Sequence, residues 1–343
     1  MLTFYSDDHH LHHGRCELID GELKPCFEMP SRAEHVLQRV QDRRLGEVRV
    51  PQDFGLAPIA RIHTDAYLQF LQTAWARWSA DGNPQSDLLP FTWPARTLRS
   101  KLPDDLHGQL GYYSFDGGAP ITAGTWQAVY SSAQVALSAQ QLISNGAGSA
   151  FALCRPPGHH AASDLMGGYC YLNNVAIAAQ AFLDQGAARV AILDVDYHHG
   201  NGSQSIFYDR NDVFLTSIHG DPRFEYPFFL GYADECGEGA GIDCNLNLPL
   251  PAGSDWSVWS AALESACQRI AAYGPDVLLV SLGVDTFKDD PISQFKLDSP
   301  DYLRMGQRIA ALGKPTLFVM EGGYAVAEIG INAVNVLEGF IGA

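Results

Sequence analysis

Basic residues are scarce in this chain: 22 Lys plus Arg stand against 39 Asp plus Glu in 343 residues, a formal charge of −17. Affinity for a phosphate backbone comes from cationic side chains that displace counterions, so this balance argues against nucleic acid as a partner. A small cationic ligand fits it better, although an acidic surface is also an ordinary solubility device. Long apolar runs are missing too, and the start, Met1-Leu2-Thr3-Phe4-Tyr5-Ser6-Asp7-Asp8, has no basic stretch leading into an apolar one. Neither a membrane span nor a secretory leader is therefore expected. The cysteines (Cys16, Cys26, Cys154, Cys170, Cys236, Cys244, Cys267) are odd in number, scattered and never spaced as CxxC, which argues against a disulfide framework and a zinc ribbon. These absences describe a soluble protein of a reducing cytoplasm.

Hydrophobic residues make up 46% of the chain, enough for one large α/β domain or two small ones. Short apolar runs stand out at residues 151–154, 190–195, 213–218, 277–282 and 316–320. Each is continuous rather than alternating, the pattern of strands buried on both faces of a parallel sheet. Helical periodicity lies between them, over 125–144, 174–184, 256–273 and 301–312, each stretch followed by glycine as the expected stop. Ser299-Pro300-Asp301 offers an N-cap, a proline at the first helical position and an acid in the first turn. The alternation predicts one doubly wound α/β domain spanning residues 1–343. From Trp75 to Pro120 the pattern degrades into a segment rich in Trp, Pro and Gly, including Trp78, Pro84 and Trp93. Loops that long are uncommon without a task, and its aromatics could line a site, meet another subunit or cover the core.

All five runs lead into polar or glycine-rich sequence: Arg155-Pro156-Pro157-Gly158-His159-His160, then Asp194 to Gly202, Ser217-Ile218-His219-Gly220, Gly283-Val284-Asp285-Thr286-Phe287, and Glu321-Gly322-Gly323-Tyr324. Open α/β sheets bind ligands outside the carboxyl ends of their strands, so these distant segments are expected at one crevice. Asp194, Asp196 and His198 alternate along a chain leaving a strand, which puts them on one side. Oxygen and nitrogen donors without thiolate suit zinc or another divalent transition metal. With Asp285 as the natural third ligand beside Asp196 and His198, a position stays open, the mark of a catalytic site. Next to such a metal, His159-His160 would supply the base for water and the acid for a leaving amine. Tyr324, on a glycine pair, would donate its phenol to a developing oxyanion. The most conspicuous histidine cluster, Asp7-Asp8-His9-His10-Leu11-His12-His13, follows no apolar strand and reads as a solvated rim loop. Gly237-Glu238-Gly239-Ala240-Gly241 reads as a flexible acidic turn, not a phosphate loop.

Taken together, these motifs resemble the zinc-dependent deacetylases that include histone deacetylases, acetoin-utilisation proteins and acetylpolyamine amidohydrolases. RPPGHH, GGYCYLNN, LDVDYHHGNG, SLGVDTF and MEGGY occur in that family's order over nearly the whole chain. Glu17, GELKPCFE, GQLGYY, HGDP with FLGYA, DPISQFKL and EGGYAVAEIG are most similar to the acetylpolyamine amidohydrolase branch. The resemblance implies the arginase-deacetylase fold, a single α/β domain with a central, predominantly parallel sheet of about eight strands flanked by helices, and an active site at the C-terminal strand ends.

It also implies one zinc per subunit on Asp196, His198 and Asp285, with Fe2+ or Co2+ as substitutes. His160 then acts as general base, backed by Asn201 where some relatives carry Asp; His159 is its electrostatic partner, held by Asp194; Tyr324 stabilises the oxyanion. A monovalent cation, usually potassium, is implied at Asp194, the Ser217 hydroxyl and the carbonyls of Asp196, His198 and Ile218. The implied substrate residues are Gly168, Tyr169, Tyr226, Ile292 and Gly322, with Glu17 attracting a distal ammonium, and Asp104, Asp105 and Asp116 are acids near His107 in sequence. His107 stands where similar members of that branch have a second acid. The 75–120 insertion would build a homodimer interface that narrows the channel. The expected reaction releases acetate from small N-acetylated diamines and polyamines of the acetylputrescine, acetylcadaverine and acetylspermidine type, in the cytoplasm.

Three alternatives remain at this stage. One is deacetylation of acetyl-lysine peptides, proteins or other acyl amides. Another is a non-catalytic sensor of polyamines or acetylated ligands. An arginase-like binuclear hydrolase would need a further Asp two residues after Asp285, where Phe287 stands.

Overall fold

Continuous apolar runs need cover on both faces, and the order of elements supplies it. The computed structural model describes residues 1–19, 21–82 and 86–343. Its strands are β1 (Leu2–Phe4), β2 (Glu17–Ile19), β3 (Glu22–Lys24), β4 (Val48–Arg49), β5 (Ser149–Ala152), β6 (Val190–Asp194), β7 (Val213–Gly220), β8 (Asn245–Leu250), β9 (Val277–Leu282) and β10 (Thr316–Met320). Eight form one parallel sheet in the order β4-β1-β5-β10-β9-β6-β7-β8, while β2 and β3 make a separate antiparallel hairpin. The strands expected from apolar runs are the adjacent set β5 to β7, so their carboxyl ends share one edge of the sheet.

Alternate residues along each strand enter opposite cores. Ala150, Val190, Ile192 and Leu279 pack with the helices Asp65–Ala80, Thr125–Ser144 and Asn174–Asp184. Phe151, Ala191, Leu193, Leu278 and Val280 pack with Ser31–Asp42, Trp256–Tyr273, Ser299–Ala310 and Ile329–Ile341. Each face is thus closed by helices, and the domain is a single doubly wound α/β unit. Truncating a central residue such as Ile192 to Ala would cost about 2–5 kcal/mol through lost burial and the cavity left behind.

Several expectations change. Strands β1, β4 and β8 were not anticipated: the first two are very short, and β8 alternates polar with apolar residues and contains Pro249, which an edge strand tolerates. The fourth expected helix begins earlier, capped by Asp298 in a capping box with Asp301, so Ser299 is inside the helix and not its cap. Trp75 and Trp78 belong to the helix Asp65–Ala80 and pack against the core, and Leu106–Tyr112 is also helical, so the 75–120 segment is only partly irregular. Pro84 lies outside the described residues. Among the described residues, no helix is long and apolar enough to cross a membrane.

Candidate active site

The carboxyl ends of β6 and β9 are neighbours, and the chain leaves both with buried carboxylates. Donor atoms of Asp196, His198 and Asp285 lie within 4.8 Å of one another. Main-chain groups aim them: Asp196 accepts from His198 N at 2.9 Å and from Gly322 N at 2.8 Å, and Asp285 accepts from Tyr197 N at 2.7 Å. The His198 Nδ1 is 3.1 Å from Asp285 Oδ2 and 3.5 Å from Asp196 Oδ1. Two carboxylates this close in a dry environment call for a cation between them. The backbone around them leaves room: a Cβ on Gly322 would fall 2.5 Å from Asp196 Oδ2 and 2.6 Å from Asp285 Oδ2. Glycine is therefore required there by close approach, and a donor set of one nitrogen and two carboxylates fits a divalent ion.

Two histidines flank this cluster in different electrostatic settings. His159 Nδ1 is 2.9 Å from Asp194 Oδ2 and its Nε2 is 3.8 Å from Asp196 Oδ1. Burial alone would lower its pKa, but the Asp196 and Asp194 carboxylates outweigh that and raise it to about 10. His160 Nδ1 is 2.7 Å from Asn201 Oδ1, while the Asn201 amide nitrogen points to the His160 carbonyl. With that amide orientation, Nδ1–H donates and Nε2 keeps its lone pair. Burial and the neighbouring His159 and His198 hold the His160 pKa well below the usual range, so the ring is a neutral acceptor.

Tyr324 closes the other side. Its phenol is buried, which raises its pKa well above 10 and keeps the proton available for donation. The Arg32 guanidinium lies 4.6 Å from the ring centroid and donates to the carbonyls of Gly323 and Glu321, both at 2.6 Å. Arg32 is in turn paired with Glu28 at 2.8 Å, and Glu28 also receives two hydrogen bonds from Arg155, at 2.8 and 2.9 Å. All three charges are buried. Sequence reading missed Glu28 and Arg32, which stand in no apolar strand and carry no local pattern.

Above these groups is a cavity of about 570 Å³. It collects Glu17, Asp116, His159, His160, Gly168, Tyr169, His198, Tyr226, Ile292 and Tyr324 from widely separated segments. Among the described residues lining it there is no Lys or Arg. Gly168 and Tyr169 both adopt positive φ, 51° and 67°. A Cβ at Gly168 would sit 2.4 Å from the His160 ring, so only glycine fits. Asp116 Oδ2 accepts from Gly168 N at 2.9 Å and from the Tyr226 hydroxyl at 2.6 Å, fixing one wall. Glu225, Phe228, Pro157 and Pro291 also line the cavity and were not anticipated as such.

Behind the cavity, Asp194 pairs in register with Ser217 across β6 and β7, with Ile218 the next residue, so the three residues suggested for a monovalent cation are side by side. Asn201 lies against His160, whereas Gly322, expected among the substrate residues, is not one of those lining the cavity and instead donates its N–H to Asp196. Other placements differ from expectation. Glu17 is 2% exposed, in β2, accepting from Phe27 N at 2.7 Å and hydrogen-bonded to Tyr169, so it is built into the wall and does not stand free at a mouth. His107 is exposed between Trp78 and Phe91 and does not line the cavity. The N-terminal histidines are only partly a solvated loop: His10 and His13 are exposed, but β1 precedes the cluster and His9 and His12 are each 3% exposed.

Comparison with known proteins places this arrangement. Residues 26–340 match the histone deacetylase domain. The chain is 70% identical over 345 residues to acetylpolyamine amidohydrolase 1 of Pseudomonas aeruginosa, covering 100% of this chain and 99% of that one. It is 50% identical over 342 residues to the acetylpolyamine amidohydrolase of Mycoplana ramosa, covering 100% of each. The crystal structure of acetylpolyamine aminohydrolase from Burkholderia pseudomallei matches with a TM-score of 0.93 at 42% identity, over 99% of this chain and 98% of that one.

Proposed function

Because the chain belongs to the histone deacetylase family and is a hydrolase of amide bonds, we propose that it deacetylates small N-acetylated diamines and polyamines, releasing the amine and acetate. The observation that carries this reading is the three-ligand cluster at the floor of a cavity that has carboxylates and aromatic rings on its walls and no Lys or Arg among its described lining residues. Asp196, His198 and Asp285 would hold a divalent ion, zinc by the chemistry of the donor set, with Fe2+ or Co2+ as substitutes. That ion, when bound, supplies Lewis-acid polarisation of the acetamide carbonyl and lowers the pKa of water.

The chain's own groups do the rest. His160 Nε2 takes the proton of the attacking water and later gives a proton to the leaving amine. His159, held by Asp194 at 2.9 Å, is the electrostatic partner beside it. Tyr324 donates its phenolic O–H to the oxygen that becomes negative. Tyr169, Tyr226 and Ile292 offer an apolar slot for a methylene chain, and Glu17 with Asp116 favours the cationic end. Asp194, Ser217 and the Ile218 carbonyl would hold potassium, steadying the strand ends under the ligands. Exposed Phe91, Leu98 and Leu102 support a homodimer contact through residues 75–120. Sedimentation at micromolar concentration tests that contact, and a monomer throughout would remove it.

The test of function is a kinetic panel of acetylputrescine, acetylcadaverine, acetylspermidine and an acetyl-lysine peptide, with metal content measured on the same sample. The expected result is the highest kcat/KM on an acetylated diamine or polyamine, falling with ionic strength as charge attraction is screened. Faster turnover of the peptide would overturn the substrate assignment. No turnover by metal-loaded protein would favour a sensor.

A further inference from the structure

The residue that donates to the oxyanion in this reading stands on a loop, not on a strand or helix. Gly323, just before Tyr324, has φ 128°, a conformation that needs glycine, so the donor hangs from irregular chain without a side chain to anchor the preceding residue. A preorganised donor needs that chain held, because its worth depends on being in place before charge develops. Something must therefore hold the Tyr324 backbone.

We propose that Asp290 is the positioning residue for Tyr324. Its Oδ2 accepts from Tyr324 N at 2.7 Å and from Ala325 N at 3.2 Å, and its Oδ1 accepts from Ile292 N at 3.1 Å. The residue is 7% exposed, and no Lys or Arg among the described residues pairs with its carboxylate, so main-chain N–H groups compensate the charge. Arg32 holds the same loop from the other side, through the carbonyls of Glu321 and Gly323. An anion thus gathers the loop's N–H groups and a cation gathers its C=O groups, and the phenol hangs from the peptide between them. Asp290 follows the ligand Asp285 by five residues in the turn after β9, so it links the Tyr324 loop to the segment that carries both a metal ligand and the Ile292 wall. Asp290 does not itself line the cavity, so it is a positioning residue and not a catalytic one.

This inference rests on Tyr324 as oxyanion donor, and the experiment separates the two. In metal-loaded enzyme, kcat and KM for an acetylated diamine are measured for Asp290→Asn, Asp290→Ala, Tyr324→Phe and Asp290→Asn combined with Tyr324→Phe. Asparagine keeps the size but replaces one acceptor oxygen with a donor, so it reports even where alanine fails to fold. The expected result for Asp290→Asn is a kcat lower by about 10- to 100-fold with KM within about threefold, because a transition-state contact is lost. In the Tyr324→Phe background the same change should lower kcat by no more than about twofold, since both act through one group. Hydrogen exchange at the Tyr324 and Ala325 amides should also quicken in Asp290→Asn with metal content unchanged. A parent-like kcat for Asp290→Asn beside an impaired Tyr324→Phe overturns the positioning role alone, as do losses that multiply in the double variant. A parent-like Tyr324→Phe overturns the oxyanion role and this inference with it.

Discussion

Two pairs of histidines leave neighbouring parallel strands, His9-His10 after β1 and His159-His160 after β5, yet only the second pair faces the cavity. Their neighbours account for the difference. His9 Nε2 meets the Tyr5 hydroxyl at 2.8 Å, its carbonyl accepts from Arg155 at 2.5 Å, and its ring lies tilted against that of His10 with centroids 3.9 Å apart. Burial, with Arg155 and His10 beside it, pushes its pKa down to about 3. His12 bonds Thr125 at 2.9 Å and is pushed down to about 4 by burial. His159 and His160 instead face carboxylates, an amide oxygen and open space. The same residue type is scaffold where a cation and hydroxyls close around it, and chemistry where anions and a cavity do.

The sharpest way to break that comparison is a pair of variants. His160→Ala should lower kcat by about 10²- to 10⁴-fold, the range for loss of a general acid-base group, with metal still bound and thermal stability nearly unchanged. His9→Ala should leave kcat within about twofold. Equal catalytic losses in the two variants, at equal stability, would erase the distinction.

Arg155 joins the two regions, because it bonds His9 on one side and Glu28 on the other, immediately before the Pro156-Pro157-Gly158-His159 turn. Glu28→Ala would strand Arg155 and Arg32 without their shared carboxylate. Breaking a buried ion pair costs about 3–5 kcal/mol, and Arg32 would lose its hold on the Tyr324 loop as well. Chemical denaturation should show that loss, and a cost below about 1 kcal/mol would demote the cluster to an ordinary polar contact.

What the sequence revealed and what it hid follow from the same physics. Asp196, His198 and Asp285 were legible because a strand buried on both faces must be apolar throughout, so a polar break at its end stands out. Glu28, Arg32 and Asp290 were not, because each acts across the fold: Glu28 meets Arg155 from 127 residues away and Asp290 meets Tyr324 from 34. No local period marks them. His9 and His12 were misread as solvated because β1 is three residues long, too short to show as an apolar run, and burial by neighbouring elements leaves no trace in the segment itself; His10 and His13 are exposed. His107, expected to replace an acid near the substrate, is instead an exposed ring between two aromatics of one subunit.

Smaller effects sharpen the contrast further. His9→Ala removes the partner of the buried Tyr5 hydroxyl, while the main-chain carbonyl at position 9 still accepts from Arg155, and the cost in stability should be about 1–3 kcal/mol, read from the denaturation midpoint at pH 7.5. A variant as stable as the parent would mean that the N-terminal turn contributes no anchoring.

The smallest expected effect is a pH dependence that the first histidine region has for structural reasons. His9 binds its proton near pH 6.5 in the unfolded chain but only near pH 3 in the folded one, held down by burial with Arg155 and His10 adding to it and Glu28 opposing. Between those values the unfolded state carries more protons, so stability is fully present above pH 6.5 and is lost as the pH falls toward 3. From pH 7 to 5.5 the loss through this one group should be about 1 kcal/mol. His9→Gln keeps a side chain that can hydrogen-bond but cannot titrate, so its unfolding free energy should vary less than the parent's over that interval by about the same amount. Parallel curves for the two proteins would mean that His9 titrates alike in both states, and the buried, cation-facing environment that separates it from His159 would have to be given up.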